Sequence, residues 1–349
     1  VLPDGRKEVI AIEDGYREFT ESWASILRFG ALASTWYTGG RGTPSSEGGE
    51  LQSLQPLTLR PLCAMVAKSH SGLPRPSLLA TSNNDSQGEN EMTRDAQANF
   101  FRNTRINRGF LKSDMWEEWR GAETDQKKQV LPPPLQKPYP EDAKLVDLVP
   151  TTELTLGRMP LIEAIEKRRS RRKFTSEALT LEELSFLLWT TQGVSKIFRE
   201  GAATLRTVPS GGARHPFETY LLVNRVEGLE PGLYRYLPLD HKLCLEKVDA
   251  DLVEKVHVAS YQQYVEDCAV VFIWTVIPYR TEWRYDFISH KIIAMDAGHM
   301  CQNLYLASEA VGAGTCAVGA YDQDALDAAL GVDGEEEFAI YMAPTGKIG

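Results

Sequence analysis

The sequence predicts an α+β fold, and three observations carry that expectation. Residues 269–277 form a continuous apolar run of strand length, the pattern of a central strand covered on both faces. Residues 290–311 carry Ile292, Ile293, Met295, Met300, Leu304, Leu306 and Ala307 at spacings that suit one long helix. Between them and around them, strand and helix patterns interleave without a strict strand-helix-strand rhythm, which separates this class from the doubly wound one.

The elements follow in order. Residues 161–168 read as a short amphipathic helix. Thr180-Leu181-Glu182-Glu183 is a capping box, in which hydroxyl and carboxylate satisfy backbone N–H groups reciprocally, and it opens a helix to about Gln192. Residues 218–226 alternate toward a strand. Residues 232–237 and 243–248 read as strands around an Asp240-His241 turn. After the apolar run and the long helix, 316–320 and 338–343 are the expected final strands. Residues 148–349 therefore form one domain of ordinary size.

The chain has 349 residues, of which 42% are hydrophobic and 25% charged, close to the globular average. Lysine plus arginine is 38 against 48 acidic residues, a net charge of −10. That balance argues against a nucleic-acid binder, because phosphates demand a basic surface. Five scattered cysteines (Cys63, Cys244, Cys268, Cys301, Cys316) include no CxxC and read as reduced thiols in a cytoplasmic protein. Six histidines include no HxxxH and no Cys/His cluster, so no metal site is expected. No apolar run reaches the roughly 18–20 residues of a membrane span.

The N-terminal third has a different texture. Residues 29–90 hold eight charged residues in 62 and show no sustained period. They read as a flexible linker or as sequence foreign to the domain. Asp4-Gly5-Arg6-Lys7-Glu8-Val9-Ile10-Ala11-Ile12-Glu13-Asp14-Gly15, with Glu21-Ser22-Trp23, resembles a short piece of a mutator-type transposase. The resemblance stops after Arg28, and the separated carboxylates such a nuclease needs for its metals do not follow. The expectation is a leader over 1–91, with Met92 as the original start. Residues 92–147 are an N-terminal extension that carries a proline-rich connector at Leu131-Pro132-Pro133-Pro134, Pro138 and Pro140.

Four segments of the main domain could carry chemistry. Arg168-Arg169-Ser170-Arg171-Arg172-Lys173 places five cations in six residues. In an extended segment 168, 170 and 172 share one face, a guanidinium-hydroxyl-guanidinium set suited to phosphate. A solvated basic turn closing a helix is the competing reading. Pro209-Ser210-Gly211-Gly212-Ala213-Arg214-His215-Pro216 allows close backbone approach to a ligand, or is an ordinary tight loop. Asp296-Ala297-Gly298-His299 sits inside the long helix, where Gly298 costs roughly 1 kcal/mol relative to alanine and so suggests close packing. Met300 and Cys301 read as core. Gly312 to Asp322 is a glycine-rich passage that could set backbone N–H groups against a cofactor.

In this order, the segments resemble the nitroreductase superfamily and its SagB-type dehydrogenase branch, which includes azoline oxidases of peptide-modifying clusters. The carrying residues are Arg168, Ser170 and Arg172, the loop from Pro209, Gly232-Leu233-Tyr234-Arg235-Tyr236, the helix motif from Asp296 to Leu304, and Pro344-Thr345-Gly346-Lys347. The resemblance implies a mostly antiparallel sheet flanked by helices and a homodimer with FMN at the subunit interface. It implies that Arg168, Ser170 and Lys347 hold the FMN phosphate and ribityl chain and that Arg172 lies near the ring. Ser210, Gly211 and Arg214 would come from the partner subunit, and Val318 and Gly319 would lie near N5. Azoline oxidases use a Lys-Tyr pair as base. Here Lys291 is followed by Ile292, so Lys291 with Tyr285 are the catalytic candidates. The implied function is FMN-dependent two-electron chemistry on a small molecule or modified peptide. The competing readings are an NAD(P)H-dependent reductase of nitro compounds or quinones, and a flavin-binding protein without turnover.

Overall fold

In the computed structural model, which describes residues 104–198 and 203–349, the chain builds a seven-stranded antiparallel sheet beside a separate hairpin. The described strands are β1 (Leu145–Asp147), β2 (Val194–Phe198), β3 (Ala203–Arg206), β4 (Phe217–Val223), β5 (Gly232–Leu237), β6 (Lys242–Lys247), β7 (Val270–Val276), β8 (Ala313–Thr315) and β9 (Phe338–Lys347). The large sheet runs β1-β6-β5-β4-β7-β9-β8, while β2 and β3 pair with each other. The helices are α1 (Trp116–Gly121), α2 (Leu161–Lys167), α3 (Leu181–Gln192), α4 (Leu252–Ala259), α5 (Tyr279–Tyr285), α6 (Ser289–Ala310) and α7 (Gln323–Leu330). The transposase-like stretch 1–28, the stretch 29–90, Met92 and Cys63 lie outside the described residues.

β7 explains why the sheet is central. All seven of its residues are buried, and they alternate between two cores. Phe272 and Trp274 join Leu184, Leu188, Met300 and Leu304 from α3 and α6. Val271 and Ile273 join Val256, Leu326 and Leu330 from α4 and α7. Helices thus cover both faces, and the two-residue period of the strand sends each side chain to its own layer. Each such burial contributes about 1.5–3 kcal/mol.

The capping box is present as expected. Thr180 Oγ1 accepts from the Glu183 N–H at 3.1 Å, and Glu183 Oε2 accepts from the Thr180 N–H at 2.9 Å. The expected strand at 316–320 is a correction. The strand lies earlier, at β8, and beyond it only Val318 bridges Met342. There the Cys316 and Val318 N–H groups still donate to Pro344 and Met342 of β9, while the Ala317 N–H between them points away and donates to the Tyr305 hydroxyl of α6. The sequence reading lacked α4, α5, α7, β1 and the β2–β3 hairpin. For α7 the signals were legible: Asp322 caps it by accepting from the Ala325 N–H, and Gly331 ends it at φ 79°.

The proline-rich connector is not a free spacer. Buried Arg235 donates to the carbonyls of Lys137 and Pro138 at 2.9 and 3.0 Å, and Arg206 donates to that of Leu135 at 3.0 Å. Glu218 accepts from the Lys137 N–H at 2.8 Å. Arg235 also pairs with Glu246 and Glu218, and Arg280 pairs with Glu218, so the buried charges are compensated. Proline carbonyls have no intrasegment partner in an extended chain, which leaves them free for these guanidinium donors. Among the described residues no helix is long and apolar enough to cross a membrane.

Candidate functional site

The helix α6 carries two polar clusters. The first lies toward its C-terminal end. After α2 the backbone turns extended at Arg168, with φ −49° and ψ 122°. Ser170 then bridges Thr315 of β8. The Ser170 hydroxyl lies 3.1 Å from the Tyr305 hydroxyl, and the Arg168 guanidinium sits 5.2 Å from the centre of the Tyr305 ring. Arg168 and Ser170 share the Tyr305 side, while Arg171 turns the other way, its N–H donating to the Thr315 carbonyl at 2.9 Å and its guanidinium 3.6 Å from Glu309. Arg172 is exposed. Among the described residues neither Arg168 nor Arg172 has a carboxylate partner.

Lys347 stands at the end of β9, and its ammonium is engaged by Glu183 and the Val311 carbonyl. Its charge is therefore already compensated within the chain. Val318 is buried, and its backbone exchanges hydrogen bonds with Met342 at 2.8 and 3.1 Å. Gly319 is exposed. A Cβ added there would meet nothing closer than the Tyr341 ring at 3.8 Å, so a flat ligand can approach its backbone.

The second cluster lies toward the N-terminal half of α6. Ser210 Oγ donates to Asp296 at 2.6 Å, the Gly211 N–H donates to the same carboxylate at 3.0 Å, and the His215 N–H donates to Ser210 Oγ at 2.9 Å. Burial pushes the Asp296 carboxyl above its usual range, opposed by the hydrogen bonds from Ser210 and Gly211 and by His299. Glycine is required at 211, because a Cβ there would lie 2.3 Å from Ile292 Cγ2. Gly212 has φ 59° and sits against the Tyr285 hydroxyl.

The catalytic candidates flank this loop. Tyr285 is buried between Trp116 and Trp119 of α1, with ring centroids 6.3 and 5.7 Å away. The Lys291 ammonium donates to the Leu111 carbonyl at 2.5 Å and lies 3.1 Å from Ser113 Oγ. Arg214 is turned inward. Its guanidinium stacks 4.7 Å from the Trp283 ring and its Nε donates to the Arg280 carbonyl at 2.7 Å, the placement of a packing residue. Gly298 does not pack closely against the described residues: a Cβ there would meet none of them within 4 Å. Met300 and Cys301 are core, as expected.

Asp296 and Tyr305 are nine residues apart on α6, or about 13.5 Å at 1.5 Å per residue. The chain therefore holds the Arg168–Ser170 pair and the Ser210–Gly211 loop apart on one helix. Sequence reasoning noted Asp296 within a motif but gave neither it nor Tyr305 a role. Nine residues at about 100° each also put the two on opposite faces of the helix, so no local spacing in the sequence linked them.

The sequence model of the nitroreductase family matches residues 165–347. A protein of Methanocaldococcus jannaschii named "Putative nitroreductase MJ1384" is 32% identical over 193 residues, which are 55% of this chain and 93% of that protein. The trifolitoxin-processing protein TfxB of Rhizobium leguminosarum bv. trifolii is 30% identical over 121 residues, covering 33% of this chain and 32% of TfxB. A nitroreductase-titled crystal structure from Anabaena variabilis superposes with a TM-score of 0.49 at 26% identity, covering 59% of this chain and 42% of that one. Separately, 28 residues, 8% of this chain, are 68% identical to 9% of the transposase for insertion sequence element IS6120 of Mycolicibacterium smegmatis.

Proposed function

The chain belongs to the nitroreductase family of oxidoreductases, and from that premise we propose that it is an FMN-dependent oxidoreductase of the SagB-type branch. The observation that carries this reading is the uncompensated Arg168 guanidinium beside the Ser170 hydroxyl and the open Gly319 backbone. A cation without a carboxylate partner, next to a hydroxyl and an approachable backbone, fits a phosphorylated flat ligand. Bound FMN supplies two-electron chemistry as hydride transfer at N5.

Arg168 and Ser170 would hold the phosphate and ribityl chain, and the exposed Arg172 would lie near the ring. Glu183 keeps Lys347 oriented at the end of β9, so this lysine would add to the local positive field rather than donate freely. The exposed Gly319 would let the ring approach the sheet end, and the buried Val318 would exclude water behind it. Lys291 and Tyr285 would serve in proton removal only after the segment around Leu111 is released from them.

The reading includes a homodimer with the Ser210–Gly211 loop supplied to the partner's site. Leu161 and Ile162 of α2 are each 65% exposed and Met295 of α6 is 50% exposed, apolar side chains whose exposure supports burial against a second copy. The open space at Gly298 supports a close helix approach there. The name of TfxB, a trifolitoxin-processing protein, supports a toxin precursor as substrate, and that of the Methanocaldococcus protein supports a reductase of nitro compounds. Four described cysteines are free and buried, which supports a reducing, cytoplasmic setting.

The test is the absorption spectrum of the purified protein after reconstitution with FMN. A bound oxidised-flavin spectrum that Arg168→Ala weakens is the expected result. Rapid bleaching by NADPH selects the reductase reading, and inertness to both nicotinamides selects the dehydrogenase. A folded wild-type protein that takes up no FMN overturns the proposal.

A further inference from the structure

We infer that Tyr305 is the positioning residue of the anion site, setting Arg168, Ser170 and the backbone at Ala317 into one arrangement. The inference rests on the FMN reading of that site. Three contacts converge on this one side chain. Its ring lies 5.2 Å beneath the Arg168 guanidinium. Its hydroxyl is 3.1 Å from Ser170 Oγ. The same oxygen accepts from the Ala317 N–H at 2.8 Å.

The chemistry of a phenol makes these contacts cooperate. The oxygen that accepts from the amide keeps its own proton for donation. Donated to Ser170 Oγ, that proton leaves the Ser170 hydroxyl proton free for an anionic oxygen. A guanidinium lying over a ring face keeps its in-plane N–H groups available to the same anion. The amide contact acts on a different part of the site. It fixes the Ala317 amide against α6 between Cys316 and Val318, whose amides stay on β9, and Gly319 follows directly. Tyr305 thus ties the phosphate end of the site to the backbone expected beside the flavin ring. No other side chain among the described residues touches all three.

Two variants separate the ring from the hydroxyl. Tyr305→Phe keeps the surface under Arg168 and removes both hydrogen bonds, and Tyr305→Leu removes all three contacts. In the apo proteins, hydrogen exchange at the Ala317 amide is read first, because it needs no flavin. Tyr305→Phe should accelerate it at an unchanged melting temperature. FMN affinity is then read from the quenching of flavin fluorescence. Loss of about tenfold is expected for Tyr305→Phe, from two hydrogen bonds of ordinary worth, and a further several-fold loss for Tyr305→Leu. Ser170→Ala should weaken binding less in the Tyr305→Phe background than in the wild type, since both changes break one linkage.

Unchanged Ala317 exchange in Tyr305→Phe, or wild-type FMN affinity in both variants, overturns the inference. If wild-type protein binds no FMN while Ala317 exchange still responds to Tyr305→Phe, the FMN reading has failed and the anion-site role falls with it. The structural linkage alone then stands.

Discussion

The Lys291 ammonium donates to the main-chain carbonyl of Leu111, 180 residues earlier in the chain, at 2.5 Å. The start of α6 is thereby fastened to the extension that precedes the sheet. Lys291→Met should loosen that extension. Cleavage near Leu111 in limited proteolysis should become several-fold faster, and stability should fall by about 1 kcal/mol. Lost turnover with unchanged cleavage would instead mark Lys291 as a base and not a fastener.

Arg235 is the second fastening, and it is buried with its partners. Arg235→Leu leaves Glu218 with Arg280 and the Lys137 N–H only, and strips the Lys137 and Pro138 carbonyls of their donor. Breaking a buried pair on one side costs about 3–5 kcal/mol. Urea unfolding at neutral pH measures it, and a loss under about 1 kcal/mol would show that the clamp is dispensable.

His215 sets a pH dependence. Burial, with Arg206 and Arg214 adding to it, pushes this histidine down to about 3. Unfolded, it titrates near 6.5. The unfolded state therefore binds the extra proton between these values, so stability is full above about pH 6.5 and is lost as pH falls toward 3. His215→Gln should remove about 2 kcal/mol of the loss between pH 7 and pH 5. Parallel slopes in denaturant melts of the two proteins would contradict this.

Gly211 and Ile292 are in steric register. Gly211→Ala should destabilise by about 1–3 kcal/mol, because the new methyl would fall on Ile292 Cγ2. In an Ile292→Ala background the same change should be nearly neutral. Thermal melts of the four proteins give the coupling directly, and additive effects would reject the clash.

Much of the architecture was legible in sequence, for reasons visible in particular residues. β7 announced itself because both of its faces are covered, so all its positions but Thr275, whose hydroxyl is satisfied by Glu337, are apolar. Thr180 and Glu183 announced α3 because a capping box is a local device. The segment 316–320 misled for the opposite reason. Its apolar pattern suits a strand, and among the described residues its pairing to β9 past Thr315 reduces to the hydrogen bonds of Cys316 and Val318, set by residues far along the chain. The short α5 was hidden because its buried Trp283 and Tyr285 face the extension, a surface with no local periodicity.

At the site the division is similar. The basic run from Arg168 to Lys173 and the Ser210–Gly211 loop could be picked out because charge density and paired glycines are local properties. Which cation stays uncompensated is not local. Lys347 meets Glu183 and Arg171 meets Glu309 across the fold, while Arg168 lies over the ring of Tyr305 with no carboxylate partner among the described residues. The sequence by itself determined the fold class, the central strand, the long helix and the segments where an anion could bind. Only the tertiary structure decided which of those charges remain available, because ion pairing depends on distances between residues far apart in the chain.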